Sequence, residues 1–338
     1  MRTPLGMGLA LAAVALAILI AGCGKPSAPT ATGASGAGAA TAAPTDRPVR
    51  MFFVPSMETG QVMASAKPLT EALEQATGLE FEVQIPTSYA AVIEALGADK
   101  ADIAWLPTFA YVLANEKHGV EVALQNVRDG DREYWGMFVA RADKHIVRLE
   151  DIASKTIAYT DPSSTSGHVY PAAILRERGI EPSQQMYAGS HPAAVLAAYT
   201  GKVDVACAYY SKPLADGKLR DARKDILSIH SDAGEVLKVV ALTDAIPNDT
   251  VSFRKGFPRD ERDKIVKALG AYVKTDAGLK VCKELYAVTD FAEVDDSAYD
   301  SVRRKIASSG MADEELLKAL EEKLQPKDDE NKAKSSES

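Results

Sequence analysis

The sequence predicts an α/β fold of two lobes, each a mostly parallel sheet flanked by helices, with a ligand cleft between them. Two observations support this. Short apolar segments alternate with amphipathic ones, which is typical of strands alternating with helices. A segment of the first half of the chain also recurs in the second half, which indicates two similar units.

The elements can be placed from this alternation. The predicted strands are residues 49–54, 81–85, 103–106 and 122–125, and the predicted helices are residues 67–77, 89–96 and 109–117. The apolar runs 134–141 and 236–242 have no matching helix after them, and we expect them to be strands that cross between the lobes. The first lobe would then comprise residues 49–135 plus 249–324, and the second residues 136–248.

The internal repeat aligns residues 88–104 with residues 190–206 at a constant offset of 102. Each copy reads as a helix, a turn and a buried strand, and we expect one copy in each lobe. Ser88 and Ser190 stand where a helix N-cap belongs. Asp102 and Asp204 precede the two strands and are expected to be structural. Chance similarity between two alanine-rich helices is the alternative explanation.

The start of the chain predicts an extracytoplasmic protein. Arg2 precedes an apolar run that ends in small residues before Cys23, which resembles a lipoprotein signal with its lipobox. Residues 1–22 would be the signal peptide, and Cys23 would be lipidated and anchored to the outer face of a bacterial membrane. Residues 23–48 would form a flexible tether. Residues 325–338 would be a disordered charged tail.

Composition excludes several classes of partner. A net charge of -8 argues against binding to nucleic acid or to an anionic membrane surface. The five histidines lack paired ligand spacing, so no metal site and no cofactor are expected. Besides Cys23, the chain has Cys207 and Cys282, which could pair as a disulfide or remain buried thiols.

A cluster of hydroxyls is the strongest candidate site. Ser164, Thr165 and Ser166 precede a helix predicted over residues 168–179. Free N–H groups and the positive end of the helix dipole favour bound negative charge at such a position. Gly167 is expected to let the backbone approach a ligand closely. An ordinary Ser/Thr helix cap would have the same composition.

Two further helix starts carry suitable side chains, because Tyr89 follows Ser88 and His191 follows Ser190. Ligands of open α/β sheets lie beyond the carboxyl ends of the strands, where helices begin. With two such lobes facing each other, these groups would meet in the cleft.

These motifs together resemble those of a known family. Residues 49–324 are similar to the substrate-binding proteins of phosphonate, phosphite and phosphate ABC importers, a branch of the type II periplasmic binding proteins. The resemblance depends on the following motifs: Tyr89-Ala-Ala-Val-Ile-Glu, Ala101-Asp-Ile-Ala-Trp105, Tyr134-Trp135, Asp161-Pro-Ser-Ser-Thr-Ser-Gly167, Gly189-Ser-His191, Val203-Asp-Val-Ala206 and Ile246-Pro-Asn-Asp249.

The resemblance implies a ligand site and partners. Phosphonate-type oxygens would be held by Tyr89, Ser164, Thr165, Ser166 and His191. Tyr134 would close over the ligand, and Asp249 would accept a hydrogen bond from its substituent side. The protein would be a monomer that closes about its hinge on the ligand and delivers it to a permease with its ATPase.

One departure from the family pattern bears on the ligand. Members that bind aminoalkyl phosphonates look to have a second carboxylate soon after the strand that ends at Ala206, whereas this chain has Tyr209-Tyr-Ser-Lys212 there. An amine would lack a countercharge, at a cost on the order of 1 to 3 kcal/mol. Phosphite, methylphosphonate or phosphate is therefore favoured over aminoalkyl phosphonates.

The sequence is also compatible with other functions. The same fold could bind another small solute, or serve only as an interaction lipoprotein. A secreted serine hydrolase could use Ser166, His191 and Asp249 as a triad. No G-x-S-x-G elbow surrounds any serine, so we expect a binding protein and not an enzyme.

Overall fold

The computed structural model describes residues 47–310. The predicted signal peptide, the lipidation site Cys23, nearly all of the tether and the charged tail lie outside these residues. So do residues 311–324, the end of the predicted first lobe.

Eleven strands are present in residues 47–310. They are β1 (Val49–Phe53), β2 (Phe81–Gln84), β3 (Ile103–Leu106), β4 (Glu121–Val127), β5 (Glu133–Arg141), β6 (Thr156–Tyr159), β7 (Gln184–Tyr187), β8 (Val205–Tyr210), β9 (Leu237–Pro247), β10 (Thr250–Phe253) and β11 (Asp290–Glu293). One sheet has the order β11-β4-β10-β3-β1-β2, and the other has the order β7-β6-β8-β5-β9. We call each sheet with its helices a lobe. Two separate sheets confirm the α/β class, while the lobe limits predicted from the sequence stay predictions.

The helices cover the sheets. They are α1 (Thr59–Thr77), α2 (Tyr89–Gly97), α3 (Thr108–His118), α4 (Tyr170–Glu177), α5 (His191–Tyr199), α6 (Ala233–Val236), α7 (Arg259–Tyr272), α8 (Asp276–Tyr286) and α9 (Asp300–Ser309). Helix α1 begins at Thr59, well before the predicted residue 67, so Pro68 lies inside the helix and not in its first turn. A single π-helical turn, Thr165–Val169, leads into α4.

The sheets are mixed, which corrects the prediction of mostly parallel sheets. Only β1 with β2 and β3, and β6 with β7 and β8, pair in parallel, and the other pairings are antiparallel. Parallel neighbours require a crossover of about a dozen residues or more. Strand β10 follows β9 of the second sheet without an intervening helix, and it pairs antiparallel with β3 and β4.

The chain passes between the lobes twice, between β4 and β5 and between β9 and β10. The predicted crossing strands β5 and β9 lie in the second sheet and pair with each other, so the passages themselves are the short segments at their ends. The two passages run side by side. Asn126 N–H donates to the Asp249 carbonyl at 2.9 Å, and Asn248 N–H donates to the Arg132 carbonyl at 2.9 Å.

The two copies of the repeat have equivalent structures in the two lobes. Ser88 Oγ accepts from Ala91 N–H at 3.2 Å, and Ser190 Oγ accepts from Ala193 N–H at 3.3 Å, which confirms both N-caps. The Asp102 carboxylate accepts from Arg50 N–H at 2.9 Å, and the Asp204 carboxylate accepts from Thr156 N–H at 3.0 Å. Each aspartate thus links the start of its strand to a neighbouring strand, which is the structural role that we predict for both.

Both cysteines of the described chain are buried free thiols, Cys207 in β8 and Cys282 in α8. Burial raises the pKa of each thiol. Within residues 47–310, the structure contains no helix with the length and apolar character of a membrane span. The same residues contain no cluster of His, Cys, Asp or Glu suited to a metal ion.

Candidate functional site

A cavity of about 320 Å³ lies between the two lobes. Val54 and Ser56 line it just after β1, and Leu106 and Pro107 line it at the end of β3. Tyr209 lines it from the end of β8. The cavity therefore lies beyond the carboxyl ends of strands from both sheets, where the sequence predicts the ligand cleft.

Six of the seven predicted ligand residues line this cavity, namely Tyr89, Tyr134, Ser164, Ser166, His191 and Asp249. The seventh, Thr165, is fully buried and is not among the lining residues. Its Oγ1 accepts a hydrogen bond from Phe109 N–H, at the start of α3 in the other lobe, at 2.8 Å. Thr165 thus joins the two lobes beside the cavity.

The hydroxyl cluster is held by its own backbone. The Asp161 carboxylate accepts from Ser163 N–H at 2.8 Å, and Ser164 Oγ accepts from Gly167 N–H at 3.1 Å. A Cβ on Gly167 would lie 2.2 Å from Thr160 Oγ1 and 2.9 Å from Ser164 Oγ. In this structure the glycine is therefore required by close packing against Thr160, a reason that the sequence did not reveal.

Tyr89 presents an unsatisfied donor. Its side chain is fully buried on the first turn of α2, and among the described residues its hydroxyl has no hydrogen-bond partner. Burial raises the pKa of Tyr89 well above its ordinary value, so the hydroxyl keeps its proton. A buried hydroxyl without a partner lowers the stability of the protein by about 1 to 3 kcal/mol. The Tyr89 hydroxyl is therefore a candidate donor to a ligand.

His191 is held from both lobes. Its backbone N–H donates to the Ser56 carbonyl at 3.1 Å, and its Nδ1 lies 3.1 Å from Thr160 Oγ1. Burial, together with the nearby charge of Arg128, lowers the pKa of His191 to about 3. The imidazole is therefore neutral at physiological pH.

Arg128, in the first passage, is a cavity residue that sequence reasoning missed. Its guanidinium forms an ion pair with Asp249 and also donates to Asn248 Oδ1 at 3.1 Å and to the Tyr286 carbonyl at 3.0 Å. Although burial opposes it, the charge of Asp249 helps to hold the pKa of Arg128 above its ordinary value. Asp249, expected to face the ligand's substituent, is thus already paired. Arg128 closely follows the predicted strand 122–125, and the rule that ligands lie beyond carboxyl ends of strands could have indicated it.

Two more cations from the second lobe line the cavity. Arg220 donates to the Arg128 carbonyl at 2.9 Å and pairs with Asp129 at 3.0 Å. Lys224 pairs with Asp225 at 2.6 Å. The carboxylates lining the cavity are Asp129, Asp249 and Glu284, of which the first two are neutralised by Arg220 and Arg128.

Comparison with known proteins identifies the family. Residues 51–299 match the family described as ABC transporter, phosphonate, periplasmic substrate-binding protein. The phosphate-import protein PhnD of Mycolicibacterium smegmatis is 30% identical over 270 residues, which cover 74% of this chain and 82% of that protein.

Two solved structures share the fold. A binding protein component of a Pseudomonas aeruginosa ABC phosphonate transporter matches with a TM-score of 0.69 and 24% identity, covering 82% of this chain and 96% of that one. Prochlorococcus marinus PhnD1, solved in complex with methylphosphonate, matches with a TM-score of 0.66 and 13% identity, covering 76% and 96%. These matches confirm the type II periplasmic binding protein fold. The chain belongs to the family of periplasmic, and therefore extracytoplasmic, substrate-binding proteins of phosphonate ABC transporters.

Proposed function

We propose that the protein captures a small phosphorus oxyanion in the interlobe cavity and delivers it to a permease and its ATPase. The observation that carries this proposal is the buried, unpartnered hydroxyl of Tyr89, which lines the same cavity as Ser164, Ser166 and His191. An oxyanion supplies the acceptor that Tyr89 lacks. It can also accept hydrogen bonds from the serine hydroxyls.

Electrostatics support an anion over an amine. Four cations, Arg128, Arg220, Lys224 and Lys283, line the cavity against three carboxylates, Asp129, Asp249 and Glu284, of which the first two are already paired. An aminoalkyl substituent would bring a fifth cation into a cavity whose lining cations already outnumber its carboxylates. We therefore favour phosphite, methylphosphonate or phosphate over aminoalkyl phosphonates. The M. smegmatis relative is a phosphate-import protein and P. marinus PhnD1 was solved with methylphosphonate, and both ligands belong to the same class.

Binding by closure of the lobes is the mechanism that these contacts support. Hydrogen bonds from His191 to Ser56 and from Phe109 to Thr165 join the two lobes beside the cavity. Such contacts form only when the lobes meet, so a ligand held by both lobes would stabilise the closed form. We also propose that Cys23 is lipidated and that the protein is a monomer.

The hydrolase alternative gains no support from the geometry. In a nucleophile triad a carboxylate would hold His191 Nδ1, whereas here Thr160 Oγ1 contacts that atom at 3.1 Å. Asp249 is paired with Arg128. The residues therefore suit donation to a bound anion and not activation of a serine.

Isothermal titration calorimetry of the purified protein with phosphite, methylphosphonate, phosphate, aminoethylphosphonate and sulfate tests the proposal. We expect submillimolar or tighter binding of at least one of the first three, weaker binding of aminoethylphosphonate, and a loss of roughly tenfold or more in Ser164→Ala. Ser308→Ala, on α9 outside the cavity, is the matched control and should bind as wild type. Absence of binding by every phosphorus compound would refute the proposed function.

A further inference from the structure

Thr160 contacts the Nδ1 atom of His191, and no sequence motif indicated this residue. On the basis of the proposed function, we propose that Thr160 fixes His191 as a hydrogen-bond acceptor toward the cavity, so that the site selects phosphorus oxyanions that still carry a P–OH proton. Thr160 would thus be a positioning residue that acts through His191, and the cargo would be the monoanionic form of the oxyacid.

The Thr160 hydroxyl has a single proton to donate. Thr160 Oγ1 lies 3.2 Å from the Cys207 carbonyl oxygen and 3.1 Å from His191 Nδ1. A carbonyl can only accept, so the hydroxyl donates its one proton to Cys207. Only a lone pair of Oγ1 then remains for the imidazole, and His191 Nδ1 must carry the proton of that hydrogen bond.

His191 stays neutral because its imidazole is buried and because, among the described residues, no free negative charge contacts it. Arg128 approaches it from the passage between β4 and β5, and the Tyr209 ring of β8 meets it edge to face at 5.0 Å. Lys224 lies over the Tyr209 ring at 5.9 Å, and Asp225 accepts from the Tyr209 hydroxyl at 2.8 Å. From the first lobe, Tyr89 lines the same cavity with its proton retained, and Asp249 is paired with Arg128. No described carboxylate hydrogen-bonds the imidazole.

A neutral imidazole with its proton on Nδ1 has a bare lone pair on Nε2. An ionised oxygen placed against Nε2 would face an acceptor, whereas a P–OH group would donate to it. Phosphorus oxyacids have a second ionisation near neutral pH, about pH 6 for a phosphate monoester, so their monoanions are available. Sulfate and sulfonates carry no proton at this pH. The Thr160–His191 pair therefore offers a way to reject them on the order of tenfold to a hundredfold, the effect of one unpaired buried polar group.

The test compares methylphosphonate with methanesulfonate, which has the same shape and no transferable proton. In the full protein, calorimetry from pH 5.5 to 9 should show that methylphosphonate affinity falls about tenfold per pH unit above the ligand's second pKa, because each bound ligand retains one proton. In Thr160→Val the tautomer is no longer fixed. The preference for methylphosphonate over methanesulfonate should then narrow by about tenfold or more, and Thr160→Ser should restore it.

Thr200→Val is the matched control. It removes a hydroxyl from the other end of α5, where Thr200 Oγ1 donates to the Leu196 carbonyl at 2.9 Å, and it should leave both affinities unchanged. Methylphosphonate affinity that stays flat or rises above the ligand's second pKa would overturn the inference.

Nitrogen-15 NMR of the His191 ring in the ligand-free wild type should show the proton on Nδ1, and a proton on Nε2 would refute the inference even if phosphonate binds tightly. Absence of binding by every phosphorus compound would refute the proposed function, and the NMR result would show separately whether the tautomer assignment had also failed.

Discussion

Replacing Tyr89 with phenylalanine should have opposite effects on stability and on ligand affinity. The hydroxyl of Tyr89 is buried and has no partner among the described residues, so the ligand-free protein bears the cost of its lost hydration. That cost is about 1 to 3 kcal/mol for a buried polar group. Tyr89→Phe removes it, and we expect the free energy of unfolding of the ligand-free protein to rise by about 1 kcal/mol.

In the complex, the same hydroxyl would donate to a charged oxygen. A hydrogen bond to a charged group contributes about 1.5 to 3 kcal/mol, so the dissociation constant of the oxyanion should increase roughly tenfold to a hundredfold in Tyr89→Phe. Urea unfolding without ligand gives the first quantity, and calorimetry with the best-binding oxyanion gives the second.

Tyr111→Phe is the matched control, because the Tyr111 hydroxyl is satisfied away from the cavity. It donates to the Asp296 carboxylate at 2.6 Å. Its removal should lower the free energy of unfolding by about 1 to 3 kcal/mol and leave affinity unchanged. If Tyr89→Phe instead destabilised the ligand-free protein and bound the oxyanion as tightly as wild type, the role assigned to this hydroxyl would be wrong.

Three other changes test the packing around the site. Gly167→Ala should lower both the melting temperature and the affinity, because its Cβ would meet Thr160 Oγ1 at 2.2 Å; an unchanged affinity would contradict this. Arg128→Met should cost about 3 to 5 kcal/mol by leaving the Asp249 charge unpaired, and adding Asp249→Leu should recover stability in urea unfolding; no recovery would refute the pairing argument. Although burial opposes it, hydrogen bonds from arginines hold the pKa of Asp102 below its ordinary value, so its stabilisation should be complete above about pH 4 and lost in stronger acid. Thermal denaturation of Asp102→Asn should therefore depend less on pH in that range, and an equal dependence would exclude this role.

The features that could be predicted from sequence are local ones. Ser88 and Ser190 were identified as N-caps because a cap depends on the residue itself and on the turn that follows it. The hydroxyl cluster of residues 164–166 could be located because it too precedes a helix that local sequence predicts. The sequence could not show that Thr165 is not a cavity-lining residue, because Thr165–Val169 forms a π-helical turn and the position of each hydroxyl depends on that turn.

The features that could not be predicted depend on contacts between distant segments. Strand direction at β10 follows from how the chain returns from the second lobe, and no local pattern encodes that return. Arg128 and Asp249 are far apart in sequence, and their ion pair exists because the two passages run side by side. The role of Thr160 likewise requires Cys207 from β8 and His191 from α5 to lie on either side of one hydroxyl.

The position of the Arg128–Asp249 pair connects binding with movement of the lobes. Each residue lies in one of the two passages between the lobes, and both line the cavity. An anion that interacts with the Arg128 charge competes with Asp249 for it. The Asp249 carbonyl also accepts a hydrogen bond at 2.9 Å from the N–H of Asn126, in β4 just before the first passage. Arg128, which would supply positive charge to the ligand, thus lies in the hinge between the lobes. For this reason, substitutions at either residue should change both the affinity and the lobe closure of the ligand-free protein, whereas Ser164→Ala should change the affinity and leave the closure of the ligand-free protein as in wild type.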